Sequence, residues 1–223
     1  MRASGERAAA IRFERLASTL RAENADDDIV ALAQRAADDE CRHIGLCDAL
    51  ASRFGWTRPP LPPTPSQPIG PAEFAARDRL LYELVATGCL SETLNACMLR
   101  AVLDRVRAPE VRLTVQSILG DEVHHARLGW TYLQRARAGG QGDFLETTLP
   151  RMLRGAGVLL IDTADAPGRD EAQLADWGEL GRDGRLEVFH AALRDIVWPG
   201  FEHAEIDVGI AKRWVAAHVP RRV

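Results

Sequence analysis

Asp39-Glu40-Cys41-Arg42-His43-Ile44-Gly45-Leu46 and Asp121-Glu122-Val123-His124-His125-Ala126-Arg127-Leu128 are two copies of one pattern, Asp-Glu-x-x-His-x-x-Leu. Residues i and i+3 share a helix face, so each copy aims a hard carboxylate and a borderline imidazole at one point. Two such copies facing each other describe a binuclear metal site. Glu40 and Glu122 lie 82 positions apart, and each copy closes a pair of helical stretches, so the chain carries an internal repeat.

Outward from the two copies the sequence divides itself. Residues 4 to 54 read as two helices, broken at Asn24-Ala25-Asp26-Asp27-Asp28, whose side chains offer N-cap oxygens to the second. Pro59-Pro60-Leu61-Pro62-Pro63-Thr64-Pro65-Ser66-Gln67-Pro68-Ile69-Gly70-Pro71 cannot be helical, because proline lacks the amide donor and disfavours helix before it. Such a stiff segment advances roughly 3 Å per residue and can travel the length of a bundle. Two further helical stretches follow, about 72–107 and about 109–138, with Pro109 suited to a first helical position and Gly139-Gly140-Gln141-Gly142 ending the run. The remainder shows two or three shorter helical patterns, separated by Ala166-Pro167-Gly168 and Trp198-Pro199-Gly200, and no alternating strand pattern.

Each half supplies a further glutamate upstream of its Glu-x-x-His. In the second half it is Glu92, set among small and apolar neighbours from Gly88 to Ala96, where a carboxylate is not simply solvated. In the first half Glu6, Glu14 and Glu23 compete. Helical spacing from Glu6 runs through Ala10, Phe13, Ala17 and Leu20, an apolar stripe, whereas Glu14 stands about 100° from Phe13 between Arg12 and Arg15. Phase therefore selects Glu6, with Glu14 the alternative because Glu6 lies so near the terminus. The candidate ligands are Glu6, Glu40, His43, Glu92, Glu122 and His125. Carboxylates bridge and neutralise two divalent ions, imidazoles complete their coordination, and four carboxylates against two such ions are formally neutral, which limits the cost of burial.

In this order, with a proline-rich crossover between the halves, these residues resemble the ferritin-like superfamily of non-haem di-iron carboxylate proteins, over roughly residues 4 to 138. Asp39-Glu40-x-Arg42-His43 and Gly88-Cys89-x-x-Glu92-Thr93-Leu94 are also similar to a bacterial group of ferritin-like domain proteins. The resemblance implies an all-α fold: a four-helix bundle over 1–138 with a long left-handed crossover at 59–71 between helices 2 and 3. Residues 139–223 would add C-terminal helices packed on the bundle. It implies two Fe ions, with Mn or mixed Mn/Fe also compatible, and roles for Asp121 in orienting His43 and for Asp39 in orienting His125.

Cys47, Gly88, Cys89 and Ala96 stand close enough in sequence to the ligands to line a substrate cavity, although small residues there equally suit close helix contacts. His124 points about 100° away from His125. Arg42 and Arg127 read as surface or ion-pairing groups, and Tyr82 and Tyr132 fall off the ligand face by simple phase. Trp56, Trp130, Trp177, Trp198 and Trp214 read as packing anchors, and His190, His203 and His218 have no ligand spacing.

Composition is that of a soluble globular protein: 223 residues, 46% hydrophobic and 27% charged. A net charge of -4, with arginines interleaved among acids, gives no reason to expect nucleic acid. No apolar run approaches the roughly 20 residues that cross a bilayer, and the opening residues lack a signal-peptide apolar stretch, so a cytoplasmic protein without membrane partners is expected. Cys41, Cys47, Cys89 and Cys97 form no C-x-x-C pair and are expected as reduced thiols.

The expected function is a non-haem di-iron oxidoreductase of oxidase or oxygenase type, acting with O2 or peroxide on a small molecule and supplied by an electron donor. The alternatives are an iron-binding ferroxidase or peroxide-scavenging protein and a metal-free scaffold. Apolar helix faces and the tail tryptophans would permit a homodimer.

Overall fold

The computed structural model describes residues 2–56, 65–156 and 170–220, and every regular element among them is helical. Four long helical stretches form the bundle. They are α1 (Arg2–Ala22), α2 (Asp27–Arg53), a third stretch, and α5 (Pro109–Ala138). The third stretch runs unbroken through α3 (Ala76–Leu84), a π-helical segment π1 (Val85–Glu92) and α4 (Thr93–Arg105), and its junctions at Val85 and Thr93 keep right-handed helical angles.

Ion pairs fix the helix directions. Arg135 near the end of α5 holds Asp26 and Asp28 at the start of α2, at 2.7 and 2.6 Å, while Arg53 near the end of α2 meets Glu110 at the start of α5 at 3.8 Å. The two helices carrying Glu-x-x-His are therefore antiparallel. Asp26 stands at the N-cap position of α2 but makes no side-chain cap bond; its carboxylate, expected as a cap, is spent on Arg135. Arg15 of α1 pairs with Glu83 of α3, and Glu6 shares a cavity with Glu92 further along, so α1 runs antiparallel to the third stretch. The short turn 23–26 folds α2 back antiparallel along α1, so α2 and the third stretch run parallel. Residues 54–75 link these two stretches, where the proline-rich crossover is expected. Pro59 to Pro63 lie outside the described residues; beyond them Ser66 accepts a hydrogen bond from Arg15 at 3.2 Å, midway along α1.

Burial follows the period of the helices. On α5 the buried positions Val111, Val115, Ile118, Glu122, His125, Gly129, Leu133 and Ala136 recur every three or four residues, and on α2 Ala33, Ala36, Glu40, His43 and Cys47 do the same. The two Glu-x-x-His pairs thus occupy core positions. Gly88 and Gly129 allow π1 and α5 to approach closely: a Cβ on Gly129 would lie 2.6 Å from the Cys89 nitrogen, and one on Gly88 would lie 2.6 Å from the Gly129 Cα.

Among the described residues the tail holds α6 (Leu145–Ala156), α7 (Glu171–Ala175), α8 (Arg182–Ala192), a second π segment π2 (Leu193–Val197), α9 (Trp198–His203) and α10 (Gly209–His218). It shares one apolar core with the third stretch and α5, in which Leu81, Val85 and Leu94 join Leu149, Phe189 and Phe201. Trp198-Pro199-Gly200 does not separate two helices, as expected from the sequence, but lies inside one. The π2 turn just before it bonds i to i+5, so the amide that Pro199 lacks costs no helical bond that the wider turn requires. Gly200 serves packing instead: a Cβ there would meet the Trp130 ring at 2.6 Å. Ala166-Pro167-Gly168 lies outside the described residues.

Of the tryptophans, Trp130 and Trp198 pack against the core, but Trp56 and Trp177 are about half exposed, the latter stacked on Phe54. All four cysteines are free thiols. No described helix is long and apolar enough to cross a membrane.

Candidate metal centre

Glu6, Glu40, His43, Glu92, Glu122 and His125 come together in the middle of the bundle, each no more than 5% exposed. They form two overlapping groups of four. Glu6, Glu40, His43 and Glu122 each offer a ligand atom within 4.8 Å of the others, and so do Glu40, Glu92, Glu122 and His125. Glu40 and Glu122 belong to both groups, while each half of the chain contributes its own upstream Glu and its own His to one group. The buried Glu and His side chains could hold a metal ion. Glu14, the alternative to Glu6, is exposed, about 80° round α1 from Glu6, and belongs to neither group.

Both imidazoles present Nδ1 inward. Nδ1 of His125 lies 3.2 Å from Glu40 and 3.2 Å from Glu122; Nδ1 of His43 lies 3.5 Å from Glu40 and 4.0 Å from both Glu6 and Glu122. The outward nitrogens meet aspartates from the other half, His43 Nε2 at 3.1 Å from Asp121 and His125 Nε2 at 3.5 Å from Asp39. The first distance is a hydrogen bond and the second is only an ion-pair contact. A carboxylate at Nε2 fixes the ring and leaves Nδ1 free to coordinate. Arg42 ties the two aspartates together, reaching Asp39 at 3.2 Å and Asp121 at 2.5 Å. Its surface position alone did not suggest this bridging role.

Asn95, on α4, donates to Glu122 at 2.9 Å and holds the orientation of that carboxylate. It had a readable signal, since Glu92-x-x-Asn95 repeats the i, i+3 spacing of the two Glu-x-x-His pairs. Phe13 closes the site on one side with its ring centroid 5.4 Å from that of His125. His124 is half-buried outside the cluster.

The electrostatics fit a cation. Among the described residues Glu40 Oε2 and His43 Nδ1 are buried without a hydrogen-bond partner, and they face each other at 3.5 Å inside the cluster. Burial penalises the Glu40 carboxylate, yet the imidazoles of His125 at 3.2 Å and His43 at 3.5 Å outweigh it and hold its pKa down at about 2. Burial would likewise lower the imidazoles, but Glu122 and Glu40 raise His125 to about 11, and Glu40 and Asp121 raise His43. Glu92 is pushed well above the usual carboxylate range, first by burial and then by the like charges of Glu122 and Glu40. Without a cation, protons take its place.

Two pH effects follow. In the metal-free protein, stability from His125 is complete below its ordinary 6.5 and is lost as pH rises toward about 11; that from Glu40 is present above 4.5 and lost as pH falls toward about 2. Metal binding must displace the His125 proton, with His43 and Glu92 adding to it, so uptake at neutral pH should release at least one proton per chain and tighten as pH rises. Titration calorimetry in buffers of different ionisation enthalpy reads that release directly; zero release would contradict imidazole ligation at Nδ1.

A cavity of about 640 Å³ opens beside Glu6, Glu40 and Glu92, between α1, the third stretch and α6. Its walls differ from those expected. Cys89 is fully buried in the core, Gly88 packs against Gly129, and neither Cys47 nor Ala96 reaches it. Tyr82, Thr87 and Ser91 line it instead, because the π1 turns rotate the residues before Glu92 away from their α-helical phase. The Ser91 and Thr93 hydroxyls each bond the carbonyl five residues back, Ala86 and Gly88, which anchors the wide turn.

No family model matches the chain, and comparison with curated proteins and with solved structures gives no match, so the reading of this site rests on its own residues.

Proposed function

We propose that this protein is a ferritin-like di-iron oxidoreductase of oxidase or oxygenase type, acting with O2 or peroxide on a small organic molecule. The observation that carries it is the sharing of Glu40 and Glu122 by two four-residue groups, each completed by one Glu and one His from its own half. That division matches the carboxylate-bridged centres of ferritin-like bundles, which take a Glu from two helices and Glu-x-x-His from the other two. One position would be held by Glu6 and His43, the other by Glu92 and His125, with Glu40 and Glu122 common to both. Iron there would supply redox chemistry toward O2 or peroxide. The chain's part is to hold four carboxylates and two imidazoles in place through Asp39, Asp121, Arg42 and Asn95, and to keep the centre dry on the Phe13 side. The cavity beside Glu6 and Glu92 supports turnover of an organic substrate over metal storage, since it brings a molecule of drug-like size to the centre.

Elemental analysis of protein expressed with iron and manganese supplied separately tests this reading. About two ions per chain are expected from the four-carboxylate, two-imidazole set; one ion per chain, or zinc alone, overturns it. Rapid mixing of the reduced protein with O2 or peroxide should then give a fast optical transient, and cage-sized particles on sizing would indicate storage instead.

A further inference from the structure

The cavity has a built polarity. Its deep end holds Glu40, Glu92 and Thr87, each at most 5% exposed, and its outer part holds Arg12, half-buried on α1, and Arg151, exposed on α6. Gly5, Ala8, Ala9 and Arg12 recur at the i, i+3, i+4, i+7 spacing of one helix face, so small residues hollow the wall and the stripe ends on a guanidinium. Across the cavity, Met152 and Ala156 of α6 present an apolar wall before the Arg151 charge.

Two observations point to a ligand. Thr87 lines the cavity at 1% exposure, and its buried hydroxyl has no hydrogen-bond partner among the described residues, which costs free energy unless a ligand group reaches it. Arg12 and Arg151 make no ion pair or hydrogen bond among the described residues, so both guanidiniums at the cavity are open to an anionic group. Four carboxylates facing two divalent ions leave the centre formally neutral, so the charge remaining in the cavity is that of the two guanidiniums.

We propose that the substrate is a small organic carboxylate: its anionic group sits on Arg12 and Arg151, its apolar body lies along Ala8, Ala9 and Met152, and its polar reacting end reaches Thr87 beside Glu92. This inference deepens the di-iron reading and rests on it for the charge balance. Guanidinium is the side chain suited to bidentate carboxylate recognition.

The test uses the full chain loaded with redox-inert Zn(II), its metal content measured for every sample, and a matched probe pair, 4-phenylbutanoate and 4-phenylbutanamide, titrated by calorimetry. The carboxylate is expected to bind at least about tenfold more tightly than the amide, the equivalent of one charge-assisted contact. R12A and R12A/R151A should bring its affinity down to that of the amide while metal content stays unchanged. Equal binding of the two probes overturns the proposal. A preference that survives in R12A/R151A also overturns it, since the carboxylate would then be going to the metal. If no metal binds, the di-iron reading fails separately, and the same probe pair titrated into the metal-free chain and its R12A/R151A variant still decides whether the arginines hold the carboxylate.

Discussion

If the centre holds two ions as proposed, replacing Glu40 with Ala should abolish binding of both together, whereas Glu6→Ala or Glu92→Ala should weaken one position and leave the groups around the other in place. The difference follows from membership: Glu40 belongs to both four-residue groups, Glu6 and Glu92 to one each. Glu40 also lies within 3.5 Å of Nδ1 of both histidines, so its loss removes the group that faces each imidazole. Glu40→Gln keeps the volume and tests charge alone; with one formal negative charge fewer against two divalent ions, it too should fall well below wild-type metal content. Elemental analysis beside far-ultraviolet circular dichroism separates metal loss from unfolding. One ion per chain retained in Glu40→Ala, on a folded protein, would show that Glu40 is not shared.

The core phase of the candidate ligands explains why so much of this cluster could be read from the chain. Glu40, His43, Glu122 and His125 stand where Ala or Leu would satisfy the period of α2 and α5, and charged residues at such positions require partners. Glu6 was separable from Glu14 by the same phase, counted from Phe13. Phase failed where the helix itself changed: Tyr82 reads as off the ligand face under 3.6 residues per turn, yet it lines the cavity because π1 intervenes. No local propensity announces a π segment. Ser91 and Thr93, whose hydroxyls bond back across it, are tolerated in an α-helix and Gly88 only weakens one, and the i to i+5 turn lies where α5 approaches at Gly129, a contact between distant residues. The same limit explains Trp198-Pro199-Gly200, whose two helix-disfavouring residues are absorbed by π2 and by the Trp130 ring.

Arg15→Ala should destabilise the fold by about 3 kcal/mol, because it leaves the Glu83 carboxylate buried without its cation. In sequence Arg15 is only the arginine that follows Glu14, and Glu83 is one acid in an otherwise apolar run from Leu80 to Val85. In the fold Arg15 reaches across from α1 and grips both Glu83 oxygens, and its Nε donates to Ser66 of the crossover. The Glu83 side chain is 3% exposed and that of Arg15 21%, so water can partly replace the lost guanidinium and the effect sits at the lower end for buried pairs. For a chain of this size the melting temperature should fall by roughly 6–12 °C. Arg15→Met with Glu83→Leu removes both charges while keeping the volume and should recover most of that loss, as apolar replacements of buried pairs do. Metal content should be retained in all of these variants, since Arg15 stands nine residues from Glu6, roughly 13 Å along α1. A single Arg15→Ala variant within about 0.5 kcal/mol of wild type, the ordinary range of surface substitutions, would mean that the pair does not fasten α1 to the third stretch.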